Sequence, residues 1–328
     1  MTRRPAALFA FVAAGLAAGA WFPAPATAAD YPNKPIRLIV PFGAGGGSDY
    51  VGRLVGQKLT EQMGQPVVVD NRPGAASLVG TEIAARAAPD GYTLLLADSG
   101  FTINSAFYKK VKYDALKDFD PVTVVGETPY LLVVYPNLPY AKSLKDYIAA
   151  AKAQPGRINI GSAGNGSGTH LSGELFKLRA GIKVTHVPYK SAGAAVADVV
   201  GGQIQSSMTS APPALPLVKA GRLRILASAA AKRTALLPDV PTFEESGVPG
   251  VHVTNWYSVV AVGGTPKPIL KRLHAELMRA IASPDMRERL AAGALEPAPN
   301  TPEQFRKMIA NELQRWARVI KDAGIRQE

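Results

Sequence analysis

Short apolar runs rich in β-branched residues recur along the chain, separated by segments whose apolar residues fall at helical spacing. The runs cover 36–42 (IRLIVPF), 66–70 (PVVVD), 93–97 (TLLLA), 122–125 (VTVV) and 131–135 (LLVVY), then 158–162 (INIGS), 183–188 (KVTHVP), 204–209 (IQSSMT), 223–228 (LRILAS) and 256–262 (WYSVVAV). Helix-like stretches lie between most of them, at 49–63, 77–88, 143–153, 169–180, 191–200 and 212–220. Strands alternating with helices read as βαβ units, so the chain is α/β with mostly parallel pairing. Ten strands fit one sheet poorly, and we divide them into two α/β domains.

Three helical segments close the chain, at 266–282, 284–292 and 302–323. Thr301 and Gln304 have the spacing of a capping box, and Pro302 takes the first helical position. Phe305, Ile309, Leu313, Trp316 and Ile320 then share one face, which predicts a core-facing surface.

The first 29 residues read differently. A basic start (MTRR) precedes a 16-residue apolar stretch from Ala6 to Trp21 and a small-residue segment (PAPATAA). This is the pattern of a secretory leader cleaved near Ala28 or Ala29. The apolar stretch falls short of the ~20 residues that span a bilayer, and the residues after Arg3 and Arg4 fit the twin-arginine signal poorly. Loss of Arg3 and Arg4 lowers the formal charge of +12 to +10. The Lys and Arg residues are scattered, which argues against nucleic acid, while a positive field would steer a small anion. There are no cysteines, which excludes disulfides, thiolate zinc sites and cysteine nucleophiles.

Two strand–glycine loop–helix units stand out, about 120 residues apart, roughly one domain length. The first runs IRLIVPFGAGGGSD (36–49), the second INIGSAGNGSGTH (158–170). A helix N-terminus offers unpaired N–H groups and the positive end of the helix dipole, and glycine lets them approach a ligand. Two such units in different domains could hold one anion from both sides of a cleft. A dinucleotide fingerprint fails here: counting from Gly43 places Ser48 at the third glycine, and counting from Gly45 places Tyr50 there. A P-loop needs Gly-Lys-Ser/Thr, and the chain reads Gly47-Ser48-Asp49. Asp49 alone reads best as a helix cap. No nucleophile elbow surrounds Ser167, and His170, His186, His252 and His274 lack metal-ligand spacing. Of these only His170, which opens a helix beside the second loop, stays a candidate for the site.

Longer motifs carry a resemblance across the whole mature chain. YPNKPIRLIVPFGAGGGSD (31–49), GQPVVVDNRPGA (64–75), APDGYTLLL (88–96), INIGSAGNGSGTHLSGELFK (158–177), HVPYKS (186–191), LPDVPTFEESGVPG (237–250) and NWYSVVAVGGTP (255–266) resemble, in order and spacing, the Bug-type periplasmic solute receptors. These are the substrate-binding components of tripartite tricarboxylate transporters. The resemblance implies a two-domain periplasmic-binding-protein type II fold with a ligand cleft between the domains. Domain 1 would combine 30–125 with 255–328, and domain 2 would be 126–254. It implies a periplasmic, monomeric, non-catalytic receptor without cofactor or metal, whose partners are a small organic acid and the membrane subunits of a transporter. A receptor docking on a sensor kinase is the alternative within that fold, and a secreted hydrolase the remote one.

The same resemblance places a carboxylate between Phe42, Gly43, Ala44, Gly45, Gly46, Gly47 and Ser48 of the first loop and Ser162, Ala163, Gly164, Asn165, Ser167, Thr169 and His170 of the second. Ser99 and Tyr189 would form walls. Many members carry an Asp that engages an amino or amide group where this chain has Thr209. The first loop also reads Gly43-Ala44 where a proline is common. The missing charge at Thr209 favours a plain acid, such as a di- or tricarboxylate or an aromatic acid, over an amine-bearing ligand.

Overall fold

The computed structural model describes residues 31–325, so the expected leader lies outside the described residues. The first half of the sheet begins with β1 (Ile36–Val40), α1 (Gly47–Met63), β2 (Val67–Asn71), α2 (Leu78–Ala85), β3 (Thr93–Asp98) and α3 (Gly100–Phe107). β1 is flanked in parallel by β2 and β3. Ile36, Leu38, Ile39 and Val40 are fully buried, as a strand covered on both faces requires.

β4 (Phe119–Val134) then leads into α4 (Leu144–Ala153), β5 (Asn159–Ser162), α5 (Gly168–Ala180), β6 (Thr185–Pro188), α6 (Ala192–Val200), β7 (Ser206–Ser210), α7 (Ala211–Lys219) and β8 (Arg224–Ser228). β9 (Thr254–Val262) returns to the first half, followed by α8 (Lys267–Ala282), α9 (Pro284–Ala292), β10 (Glu296–Pro297) and α10 (Pro302–Asp322). The strand order is β2-β1-β3-β9-β4-β7-β5-β6, with β8 and β10 also on β4.

Three details differ from the sequence expectation. The runs at 122–125 and 131–135 are one 16-residue strand, because β9 pairs with β4 from Phe119 to Pro129 across the polar Gly126–Thr128 stretch, and β7 takes over at Tyr130. The pairing is parallel only at the two flanks; every contact of β4 and β9 is antiparallel, so the strands form one hydrogen-bonded run rather than two parallel sheets. Helix α3 was not expected, since SGFTINSAF places polar residues among its apolar ones, yet Thr102 and Asn104 are buried with it.

The closing helix follows the pattern. Thr301 and Gln304 form both bonds of the capping box, and Phe305, Ile309, Trp316 and Ile320 are buried, with Leu313 partly so. Trp316 and Ile320 pack with the β5–β7 side, while Phe305 and Ile309 pack with the β1–β3 side, so α10 spans both halves of the sheet.

Candidate functional site

The carboxyl ends of β1 and β5 feed their loops toward each other, and α1 and α5 start on opposite sides of a small cavity of about 30 Å3. Phe42, Gly46, Gly47, Ser48 and Asp98 line it from one half, and Ala163, Ser167, Gly168, Thr169, Ser191, Ala192 and Ser210 from the other. Tyr130, Asn255 and Tyr257, on or beside the two shared strands, complete the wall. The N-cap of α1 is Gly46, with no side-chain cap, so the first N–H groups of that helix are left for another acceptor. In α5, Ser167 Oγ caps the His170 N–H at 3.2 Å, while Gly168 and Thr169 stand at the cavity. No lysine or arginine is in this lining. Any anion here would be held by hydroxyls, backbone N–H groups and two helix dipoles.

The first residue of each helix has to be glycine. A Cβ on Gly168 would collide with the Tyr130 hydroxyl and come within 2.6 Å of Ser99 Oγ; one on Gly47 would collide with the Tyr257 hydroxyl and lie 2.5 Å from Ser210 Oγ. The two units found in the sequence are thus met by matching Tyr–Ser pairs. Tyr130 pairs through its backbone with Ser210 but sends its hydroxyl to Ser99, 2.8 Å away. Tyr257 pairs with Asp98 and hydrogen-bonds Ser210. Burial drives both phenols upward, so they remain neutral.

Behind the lining, the loops are held by their own side chains. Asp49 is not the cap of α1; it sits inside the first turn, and its Oδ2 accepts from the Gly45 N–H at 3.0 Å and from Arg53 Nε at 3.0 Å. Burial works against its charge, but those bonds prevail and hold it below the ordinary carboxylate value. Its carboxylate therefore faces the loop and Arg53. In the second loop, Thr169 Oγ1 accepts the Ala163 N–H at 2.9 Å and Ser162 Oγ accepts the Gly164 N–H at 3.1 Å. His170 Nδ1 accepts the Gly166 N–H at 3.1 Å, which places the ring proton on Nε2. The His170 ring stacks on His186 at 4.2 Å, and burial pushes the two imidazoles down to about 3 and about 4. Both are neutral props of the loop. Ser162 Oγ and His186 Nε2 stand 2.6 Å apart, the spacing of a nucleophile and base, but Ser162 is buried and lines no chamber.

A larger chamber of about 700 Å3 adjoins the small one, with Phe42 and Ala163 common to both. Gly164, Asn165, Tyr189, Lys190, Tyr108 and the Gly74–Ser77 turn form its walls. Of the residues expected from sequence, Phe42, Gly46, Gly47, Ser48, Ala163, Ser167 and Thr169 meet at the small cavity, and Gly164, Asn165 and Tyr189 at the larger one. Gly43, Ala44, Gly45, Ser99, Ser162, His170 and Thr209 line neither. The Thr209 hydroxyl bonds the Ser210 carbonyl, and it is Ser210 that reaches the cavity. Sequence reasoning missed Asp98, Tyr130, Ser191, Ser210, Asn255 and Tyr257; for Asp98, Ser210 and Asn255 the available signal was a polar residue flanking an apolar strand run.

The profile of the tripartite tricarboxylate transporter family receptor matches residues 51–325. The chain belongs to that family. Among curated relatives it is similar to protein BugT of Bordetella pertussis, 39% identical over 327 residues, 99% of this chain and 98% of BugT. Three solved structures are similar over all of their own chains: R. palustris Rpa4515 with adipate (35% identity, 91% of this chain, TM-score 0.87), the periplasmic binding protein BugD (31%, 91%, 0.87), and MatC of Rhodopseudomonas palustris with bound malate (31%, 88%, 0.84). This receptor therefore has the Bug-type periplasmic-binding fold, as its motifs implied.

Proposed function

We propose that this receptor is a non-catalytic periplasmic protein that captures a small organic acid, of the dicarboxylate class, and delivers it to the membrane subunits of a tripartite transporter. The observation that carries the reading is the meeting of two glycine-led helix N-termini, ringed by hydroxyls, at one small polar cavity. One carboxylate group fits that chemistry. The adjoining chamber would take the rest of the acid. Its walls include one formal charge, Lys190, suited to a second carboxylate. Relatives described with adipate and malate support the substrate class. The leader pattern supports export to the periplasm. The proposed domains, 30–125 with 255–328 and 126–254, would close about β4 and β9, the strands shared by both halves of the sheet.

The test is a thermal-shift screen of the mature chain against adipate, malate, citrate and benzoate. A ligand at 100 times its dissociation constant adds ~2.7 kcal/mol, a shift of several degrees. A shift with a dicarboxylate and none with its diamide is the expected result. Equal shifts with acid and diamide, or none with any acid, would reject the reading.

A further inference from the structure

The small cavity contains an acid of its own. Asp98 closes β3 inside the lining, 7% exposed, with Oδ2 accepting from Ser48 Oγ at 3.2 Å and Oδ1 from the Gly100 N–H at 2.9 Å. The charged and titratable groups around it offer no counterion. Tyr113, Tyr130 and Tyr257 are buried phenols beside it, and Asp49 on α1 is engaged by Gly45 and Arg53. Among the described residues, no lysine, arginine or histidine pairs with Asp98. A carboxylate ligand entering this cavity would meet a second carboxylate in a space of about 30 Å3. Two like charges sharing so small a site cannot both stay ionised.

We infer that Asp98 sets the specificity of this receptor by taking up one proton when a carboxylate binds, so that the site accepts an acid anion and a proton together. The inference rests on the proposed capture of a carboxylate. One proton moves from solvent onto an Asp98 oxygen, and the ligand enters as its anion. Protonated at Oδ2, Asp98 donates to Ser48 Oγ in place of accepting from it. The Ser48 hydroxyl is then free to turn its own proton toward the ligand, beside the N-terminus of α1. Burial already holds the Asp98 carboxyl up to about 6 before any ligand arrives, so the added cost of neutralising it near pH 7 is small.

Calorimetric titration with adipate over pH 6.5–8.0, in two buffers of different ionisation enthalpy, tests this on the wild-type chain. Ordinary carboxylic acids are ionised across that range. The expected result is uptake approaching one proton per adipate, with the dissociation constant weakening towards tenfold per pH unit above pH 7. D98N, an isosteric change whose fold is checked by its melting curve, should bind adipate without proton uptake or pH dependence, and more tightly than wild type at pH 8. Adipate binding with no proton uptake overturns the inference and leaves the carboxylate reading intact. Preference for the corresponding diamine, without proton uptake, overturns both, since Asp98 would then act as the ionised partner of an ammonium group.

Discussion

The hydroxyl of Tyr130 lies 2.8 Å from that of Ser99, although Ser99 follows β3 and Tyr130 lies on β4, with β9 between the two strands. Ser99 gives its single proton to Asn255 Oδ1 at 2.7 Å, so Tyr130 must be the donor to Ser99. Asn255 stands two positions before Tyr257 on β9, and the Tyr257 hydroxyl hydrogen-bonds both the Asn255 side chain and Ser210 at the far end of β7. A chain of hydroxyls and one amide thus joins the ends of β3 and β7 where the two helix N-termini face each other. Relative movement of the halves would change this network and the cavity together.

Glycine at the head of α5 is required by close approach. Gly168→Ala should destabilise the protein by about 1–3 kcal/mol, because the new methyl would strike the Tyr130 hydroxyl. Gly173, in the interior of the same helix, has only Ile160 Cδ1 at 3.8 Å from a Cβ. Gly173→Ala should therefore stabilise by about 0.5–1 kcal/mol through helix propensity. Urea denaturation of both variants checks the contrast, and equal effects of the same sign would refute it.

The Tyr130–Ser99 bond can be weighed by a double-mutant cycle. Ser99→Ala leaves a buried phenol without its acceptor and should cost about 1–3 kcal/mol, whereas Tyr130→Phe removes the orphan with its partner. The double variant should be more stable than the sum of the single losses by roughly 1 kcal/mol. Strict additivity would show that the hydroxyls are not coupled.

The glycine loops were legible because their chemistry is local: strand, glycines, helix start. The tyrosines that complete the site were not. Tyr130 stands just before the apolar run at 131–135 and looks like an ordinary strand residue, and its partner Ser99 is 31 positions away; Asn255, the other partner of Ser99, is 156 away. Only the crossing of β4 and β9 brings them together, and that crossing was hidden by the polar Gly126–Thr128 stretch that made β4 look like two strands. Asp98 was overlooked for a similar reason: TLLLAD reads as a buried strand with a polar end, and nothing local shows that the end opens into a cavity. The sequence places His170 beside the second loop but does not show which way its ring faces.

The turn opposite the second loop is under strain. Ala75, Ala76 and Ser77 have φ values of 43°, 48° and 87°, a left-handed run that costs on the order of 1 kcal/mol per residue. Asn104 holds it, with Nδ2 donating to the Ala76 carbonyl at 2.8 Å and contacting Ser77 Oγ at 2.9 Å. Asn104→Ala should cost about 1–3 kcal/mol of stability and weaken acid binding, since this turn walls the larger chamber. If stability falls while the dissociation constant for adipate is unchanged, the turn plays no part in binding.

Acid should loosen the second loop through the stacked histidines. His170 and His186 are pushed down to about 3 and about 4, mainly by burial, so below pH ~6.5 the unfolded chain binds protons that the folded chain refuses. Their contribution is complete above pH ~6.5 and is lost as pH falls, by up to about 1.4 kcal/mol per pH unit for each ring. Asp98, raised to about 6 by its burial, acts in the opposite sense between pH ~3.8 and about 6, and Glu127, raised by burial and by Glu296, adds to that. The histidines are best isolated by difference. His186→Gln retains an acceptor near Ser162 but cannot titrate, so the stability gap between wild type and this variant should shift in favour of the variant as pH drops from 6.5 to 5. Denaturation curves at those two pH values measure it. A gap independent of pH would mean that His186 gains its proton in the folded protein as readily as in the unfolded chain, and that burial does not hold it neutral.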